Sequence, residues 1–495
     1  FCGHALLKHP WRIGISFLLM VMTWESPLCL ATDSEIGPFL NQLHQKAHST
    51  SESPWKEQAD AVLIQNKETQ WERYLKAAMN LPDWVDLGLE NRTRFEVYDH
   101  PWRSSQLGGG GKTDPQVALR SRIRFGLYGG PFNFLFEGQD SRAYGNNETG
   151  DFVNTTIVNE WDILQVFGAL TLKDALGTGL RTDVHVGRLT LNFGSRRYIA
   201  RNKFRNTTNA FDGFHWQIAQ ENSWRIRAFL VEPVIRDDVK LDEQNKNRLF
   251  WGTYAENNQL PWLHINAFYF GLNDQRSQNK NLHRTFSTFG LRLFKPAAVG
   301  DFDYEFDGAI QTGHVGQTDH FAYNPNVEVG YTFNIPWTPR FLAQYVYASG
   351  TRTPGGSQSG TFDPLFGARR FDLMPTGTFG PFVRSNLSSP GWRIIVKPDK
   401  GLKVQIKHRF WYLAQARAVY VGGALQDPTG NSGNYLGHDV ELRVQWAVSP
   451  NLDFDLGYDH WFKGSYFDRL PPSAGLPAGG EKDTDYFYCS MRVRL

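Results

Sequence analysis

From residue 81 to the end of the 495-residue chain, apolar and polar residues alternate with a period of two, segment after segment. Val85, Leu87, Leu89, Thr93, Phe95 and Val97 fall on odd positions, while Asp86, Glu90, Arg92, Arg94 and Glu96 fill the even ones. Val117, Leu119, Ile123, Phe125 and Leu127 alternate in the same way with Arg120, Arg122 and Arg124, and Phe132, Phe134 and Phe136 with Asn133, Glu137 and Gln139. Successive side chains of a strand point to opposite faces, so each segment can turn one face to oil and the other to water. Eighteen candidate strands follow: 84–97, 117–128, 131–140, 160–172, 182–191, 211–220, 223–233, 248–256, 261–272, 284–295, 301–313, 321–333, 338–349, 388–397, 401–413, 436–448, 451–463 and 483–495. Their lengths match or slightly exceed the 9–11 residues or so of a tilted bilayer crossing.

The connections decide between a soluble sheet protein and a membrane barrel. Tight turns at 129–130, 221–222, 257–260, 296–300, 334–337, 398–400 and 449–450 alternate with long loops at 99–116, 141–159, 192–210, 234–247, 273–283, 350–387, 414–435 and 464–482. Two connections fit less well, 173–181 being long for the turn side and 314–320 short for the loop side. Short turns at one end and long loops at the other are the arrangement of an outer-membrane barrel, with both barrel termini on the periplasmic side. The expected fold is therefore all-β: a transmembrane antiparallel β-barrel of about eighteen strands over residues 81–495, in the outer membrane of a Gram-negative-type cell. Tryptophans and tyrosines near strand ends, including Trp84, Tyr128, Trp161, Trp251, Trp262, Trp337, Trp392 and Trp446, suit interfacial girdles. Phe487, Cys489, Met491, Val493 and Leu495 share one face of the last strand.

The residues before the barrel read differently. Lys8 and Arg12 precede a ten-residue apolar run over 13–22, and Cys29-Leu30-Ala31 offers small residues for a signal peptidase, so residues 1–31 are expected to be a signal peptide cleaved after Ala31. Residues 32–80, with Leu40, Leu43, Trp55, Val62, Leu63, Trp71, Tyr74 and Leu75, are expected to form a periplasmic helical or linker segment around a Ser-rich stretch at 49–53.

Composition removes several function classes. No apolar run approaches the 20 or so residues of a membrane helix. A net charge of +2 argues against nucleic-acid binding, and cysteines at 2, 29 and 489 show no zinc spacing. His185, His215, His264, His314, His408, His438 and His460 are scattered without a spaced nucleophile, so neither an enzyme nor a metal or cofactor is expected.

The inward positions carry the functional expectation. Closing the barrel sets Arg492 and Arg494 beside the strand of Arg92 and Arg94, next to that of Arg120, Arg122 and Arg124. With Lys403, Lys407 and Arg409 these are the expected pore-lining cations, and an Arg-lined lumen favours anions. Asp303, Glu305 and Asp307 lie roughly across the barrel, placed to pair with Arg292, Arg225, Arg227, Lys407 or Arg409, so a purely structural ladder of salt bridges is the competing reading.

One stretch is more specific: Gly187-Arg188-Leu189, Gly194-Ser195-Arg196-Arg197, Asn206, then Phe211-Asp212-Gly213. Tyr347-Ala348-Ser349-Gly350, Thr361-Phe362-Asp363-Pro364-Leu365-Phe366, Leu436-Gly437-His438-Asp439-Val440-Glu441-Leu442, Gly457-Tyr458-Asp459-His460-Trp461-Phe462 and Asp485-Tyr486-Phe487-Tyr488 follow in order. Over residues 81–495 the chain resembles the alginate-export (AlgE-like) family of outer-membrane proteins, departing from its pattern at Leu189, Ser195 and Asn209. The resemblance implies an eighteen-stranded barrel that passes an acidic exopolysaccharide through a narrow, electropositive lumen gated by long loops. It places Arg188 and Arg122 at or near the constriction and makes Gly187, Gly194, Arg197, Asn206, Phe211 and Asp212 a motif loop. The implied partners are an acidic polysaccharide, outer-membrane lipid and periplasmic export proteins, with the barrel working as a monomer. Loop 350–387, with Gly355-Gly356-Ser357 and Gly360 to flex, folds inward or caps the pore in one reading and decorates the surface in the other. The expected function is export of an anionic, alginate-like polysaccharide; uptake of small anions through a porin without a polymer substrate is the alternative, and a structural barrel plugged by its own loops is a third reading.

Overall fold

A computed structural model of the chain describes residues 79–104, 115–145, 154–275, 277, 279–370, 372–375 and 379–495. The expected signal peptide at 1–31 and nearly all of the expected helical or linker segment at 32–80 lie outside the described residues. Eighteen long strands follow: β1 (Val85–Tyr98), β2 (Gln116–Gly129), β3 (Phe132–Tyr144), β4 (Asn159–Leu172), β5 (Arg181–Leu189), β6 (Phe211–Gln220), β7 (Trp224–Pro233), β8 (Arg248–Leu260) and β9 (Leu263–Asp274). The second half comprises β10 (Arg284–Lys295), β11 (Phe302–Val315), β12 (Thr318–Thr332), β13 (Arg340–Ala348), β14 (Leu387–Asp399), β15 (Leu402–Tyr412), β16 (Tyr435–Ala447), β17 (Leu452–Lys463) and β18 (Thr484–Arg494). Each pairs antiparallel with the next, and β1 pairs with β18 from Glu90↔Arg494 to Tyr98↔Tyr486. The sheet is thus a closed barrel. Leu495 extends the seam, exchanging backbone hydrogen bonds of 2.8 Å with Leu89. A two-residue strand, Gln358–Ser359, adds in parallel to the start of β12.

Alternation sets the two faces. Ile123, Phe134, Phe289, Leu291, Ile310, Phe321, Val327 and Val329 are exposed on the outside, where lipid meets them, while the neighbouring arginines and carboxylates are buried inside. Trp84, Trp262, Trp337 and Trp446 are exposed at the short-turn end and Trp161 at the other, the positions of girdle residues.

Two connections differ from expectation. The one expected at 314–320 is a two-residue hairpin at 316–317, because β11 and β12 stay paired as far as Val315↔Thr318. Gly316 supplies the positive φ (+60°) that such a turn needs. The turn expected at 257–260 shortens to 261–262, because β8 and β9 run on past a register shift.

The interior is not the wholly polar lumen that the alternation suggested. Phe229, Val231, Phe250, Tyr254, Phe268, Phe270 and Leu272 point inward from β7–β9 and form an apolar core with side chains from two long loops. These are L3, the connection from β5 to β6 (190–210), and L7, the connection from β13 to β14 (349–386).

Removing residues 484–495 strips β1 and β17 of their ladder partners, and open sheet edges are not tolerated in hydrocarbon. The truncated chain is expected to show no heat-modifiable, folded band on a detergent gel; finding that band would refute a closure that depends on β18.

Candidate functional site

The site is the lumen and the two loops that enter it. L3 carries Arg196, Arg197, Arg201, Lys203 and Arg205 and no acidic residue. L7 carries Arg352, Arg369, Arg370 and Arg384 against Asp363 and Asp372.

L3 begins on the aromatic wall. Phe193 stacks on Tyr254 with centroids 5.6 Å apart, and Tyr198 packs on Phe268 at 5.1 Å. The turn that aims Phe193 requires Gly194: its φ is +51°, and a Cβ there would sit 1.7 Å from the Tyr254 hydroxyl. Next the loop meets an acidic wall on β11 and β12. The Arg197 guanidinium lies 3.0 Å from Asp307, 2.8 Å from Glu328 and 3.0 Å from Asp372 of L7, and also pairs with Glu305. Burial alone would lower the Arg197 pKa, but the carboxylates of Glu305, Asp372, Glu328 and Asp307 hold it well above the usual arginine value. Asp372, pulled upward by burial, is held below its usual value by Arg384 and Arg197.

Six residues further on, a distance of about 20 Å when extended, L3 reaches the basic wall. Strand register aligns Arg492, Arg92 and Arg120 in one row across β18, β1 and β2. Arg92 donates to the carbonyls of Lys203 and Phe204, both at 2.8 Å, and to Asn206 Oδ1 at 2.8 Å. Arg94 donates to the Phe204 carbonyl and pairs with Glu96 at 2.6 Å. Arg120 donates to the carbonyls of Lys203 and Arg205, both at 3.3 Å, and pairs with Glu90 at 2.8 Å. The Asn206 amide donates to the Ile157 carbonyl at 2.8 Å and the Leu119 carbonyl at 3.0 Å. L3 therefore crosses the lumen as a strut, its cation seated among acids and its carbonyls among arginines.

L7 runs beside it. The Phe366 amide donates to the Tyr198 carbonyl (2.9 Å), the Ala200 amide to the Phe366 carbonyl (3.1 Å) and the Ala368 amide to the Arg196 carbonyl (2.8 Å). Phe362, Phe366, Leu373, Met374, Phe379 and Phe382 are buried, so L7 lies inside the barrel instead of decorating its surface.

The other expected residues fall as follows. Arg122 donates to Gln139 and to Thr208 of L3 (2.6 Å), while Arg124 pairs with Asp86 at 2.8 Å. Arg188 pairs with Asp212 at 2.8 Å and donates to the Asp242 carbonyl at 3.1 Å. Lys407 pairs with Glu441 at 2.7 Å; Arg409 donates to Ser389 and, at 3.0 Å, to the Asp372 carbonyl. Arg492 pairs with Asp453 at 2.9 Å. Lys403 is half-buried on β15 opposite Gln445. Gly187, at φ +136°, leaves no room for a Cβ, which would stand 2.3 Å from the Val166 carbonyl. Phe211 is fully buried against Phe366.

Two of the three expected carboxylate pairings are corrected. Glu305 does pair with Arg292, but Asp303 pairs with Arg340 and Asp307 with Arg197. Arg225 and Arg227 turn to Glu256, and Lys407 and Arg409 stay with β14, β16 and L7. The physical reason is reach: side chains on opposite walls cannot touch across so wide a barrel, and a loop arginine supplies the bridge. Sequence reasoning missed Glu328, Asp372 and Arg384 as members of this network, and the all-basic composition of L3 was the signal that could have led to them.

A second loop contact is protonic. On L4, the connection from β7 to β8 (234–247), Asp242 accepts from the Asp237 amide and from Asn159 (3.1 Å), and its own amide donates to Asp162. Burial, with the Asp162 carboxyl beside it, pushes the Asp242 carboxyl up to about 7. Arg188 and Arg236 are the cations facing it.

The fold and this lumen define an outer-membrane β-barrel channel, not an enzyme; among the described residues no cluster of three or more potential ligands could hold a metal ion. The alginate-export family model matches residues 83–479, and the chain belongs to that family. Solved structures with the same fold include Acinetobacter baumannii OccAB3 (10% identity, TM-score 0.55, covering 83% of this chain and 99% of that one). Pseudomonas aeruginosa OpdK, solved with vanillate, is similar at 10% identity and TM-score 0.54, covering 83% and 98% of the two chains. P. aeruginosa OccD3 (OpdP) is similar at 11% identity and TM-score 0.53, covering 83% and 91%. No curated protein matches the chain.

Replacing Arg197 by Met leaves buried carboxylates without their cation, a change that costs about 3–5 kcal/mol. R197M is expected to unfold at a lower temperature and to speed amide exchange in 366–375, with D372N partly restoring both; unchanged exchange would show that L3 does not hold L7. A carboxyl whose folded pKa is raised stabilises fully below about pH 4 and loses that contribution as pH rises through 7. Exchange of the L4 amides, corrected for its intrinsic pH dependence, should therefore increase from pH 5 to 8, and D162N should flatten that rise.

Proposed function

We propose that this channel exports an anionic, alginate-like exopolysaccharide. The observation that carries the reading is L3: it has no acid of its own and, beyond Arg197 in its nest of carboxylates, carries Arg196, Arg201 and Lys203 across the lumen towards the basic wall, with Arg201 beside Glu137. A polyanion passing such a strut meets positive charge repeatedly without one tight site, and conduction needs attraction weak enough to release. Arg92, Arg94, Arg120, Arg122, Arg124, Arg188, Lys403, Lys407, Arg409 and Arg492 set the sign of the lumen around it. Most of them also hold ion pairs or loops in place, so they contribute field more than contact. Membership of the alginate-export family supports the same cargo. L7 is the gate in this reading, because it lies along L3 and a polymer passes only once it swings aside. Force for export comes from periplasmic partners, since a barrel has no energy source; residues 32–80 are a natural place for them to dock.

A small-anion porin is the second reading, and the pairing of L3 with L7 favours it, because two loops bonded side by side inside the barrel obstruct a polymer more than a single solute. OpdK, of the same fold, was solved with vanillate.

Planar-bilayer recordings separate the two. Export predicts anion-selective current that short uronate oligomers block, a severalfold larger conductance after deletion of 352–383, and loss of selectivity in R201Q/K203Q. Anion current indifferent to oligomers moves the assignment to the small-solute porin, and current indifferent to both substitutions overturns the role of L3.

A further inference from the structure

Between L3, L4 and L7, at the loop end of β6–β8, lies a cavity of about 350 Å³, within the roughly 300–1,000 Å³ of small-molecule sites. Five arginines line it and, among the described residues, no Asp or Glu does. Two have carboxylate partners: Arg248 lies 3.2 Å from Asp274, and Arg384 pairs with Asp372. The other three, Arg205, Arg236 and Arg369, come one from each loop and are held, among the described residues, by neutral groups alone. Arg205 donates to Asn209 Oδ1 (2.6 Å) and the Thr207 carbonyl (3.2 Å), Arg236 to the same Asn209 Oδ1 (2.7 Å), and Arg369 to the carbonyls of Gly380 (3.4 Å) and Phe382 (3.3 Å). The Arg236 Nε is buried with no acceptor. Burial and the charges of Arg236 and Arg369 lower the Arg205 pKa well below its usual value, which shows how closely the three cations crowd. Asp242 faces Arg236 but is engaged with Asp162 and Asn159.

Three guanidiniums brought together out of water repel one another, and Asp242, which faces Arg236, is hydrogen-bonded to Asn159 and beside Asp162, so the arrangement costs free energy until an anion enters. Beside the arginines, Thr155 and Asn209, one side of the cavity is apolar, with Phe211, Leu365, Phe366 and Val383 facing the same space. Sugar hydroxyls against that wall would lose their hydrogen bonds to water without replacement, so the surface suits a compact hydrocarbon better than a uronate ring. We propose that this cavity binds a small organic acid, its carboxylate shared by Arg205, Arg236 and Arg369 and its apolar body seated on Leu365, Phe366 and Val383. Of the L3 cations the site draws on Arg205 alone and on none of Arg196, Arg201 or Lys203, the cations that L3 presents to the polymer in the proposed function. Because its three cations belong to L3, L4 and L7, an occupant ties the three loops together and holds L7 inward.

The test is calorimetric titration of the refolded full chain in detergent with benzoate, against benzyl alcohol, glucuronate and inorganic phosphate. Saturable benzoate binding, at least tenfold tighter than the other three, is expected, with at least a tenfold loss in Arg236→Gln and in Arg369→Gln. Leu365→Asn covers the case where an arginine variant fails to refold: Leu365 has a left-handed backbone (φ +51°), which Asn accepts, so the change makes the apolar wall polar without strain. It too should weaken benzoate at least tenfold. Absence of saturable benzoate binding, equal binding of phosphate or glucuronate, or affinity unchanged in all the variants overturns the proposal. Ion selectivity in bilayers reads the lumen independently, so the channel reading stands or falls on a different measurement.

Discussion

Backbone hydrogen bonding in a medium without water is the constraint from which the rest of this molecule follows. Each N–H and C=O in the hydrocarbon layer must find a partner inside the sheet, so the sheet has to close. Closure joins β1 to β18, and their register sets Arg92 opposite Arg492 on one side and Arg120 on the other. Like charges opposite each other are destabilising in a sheet. Glu90, ringed by Arg120, Arg122, Arg492 and Arg494, offsets part of that repulsion, and the carbonyls of L3 supply further acceptors. The geometry of closure thus creates a wall that needs a loop, and L3 fills the need.

The strut is anchored by opposite means at its two ends. Arg197 enters a nest of carboxylates as a cation, whereas Lys203, Phe204 and Arg205 approach the arginines through their main-chain oxygens. A loop anchored by side-chain charge at both ends would need acids among its own residues, and those would cancel its field. By offering carbonyls instead, L3 needs no acid of its own at that end and still docks on a positive surface. Anchoring and anion attraction therefore coexist in one segment.

The sequence made the strands legible because lipid outside and water inside leave an alternating record, and all eighteen segments appear within a few residues of expectation. It misjudged 314–320, where polar residues such as His314 and Asp319 look like loop but sit paired beyond the membrane. The aromatic wall was hidden for a related reason. In β7–β9 both faces are apolar, Ile226 and Leu230 outside and Phe229 and Val231 inside, so alternation carries no sign of which face is the lumen. Ion-pair partners were the least legible. Alternation says that Asp307 points inward, but its meeting with Arg197 depends on the path of a loop 110 residues away in sequence. The arginines of the L3–L4–L7 cavity share this difficulty, being neighbours only after three loops have folded inward.

The seam between the first and last strands also orders events in time. Tyr486 donates to Glu96 across 390 residues of chain, and Thr484 to the carbonyl of His100 across 384. The arginine row that receives L3 is incomplete until Arg492 arrives, although L3 itself leaves the ribosome long before. Contacts so distant along the chain form slowly and leave sticky surface uncovered meanwhile. For most of its synthesis and transit this polypeptide holds a cationic loop and a wall of phenylalanines with nowhere to put them. A protein built this way needs escorting: the interior that suits it to conduct anions is assembled last, and something else must cover it until then.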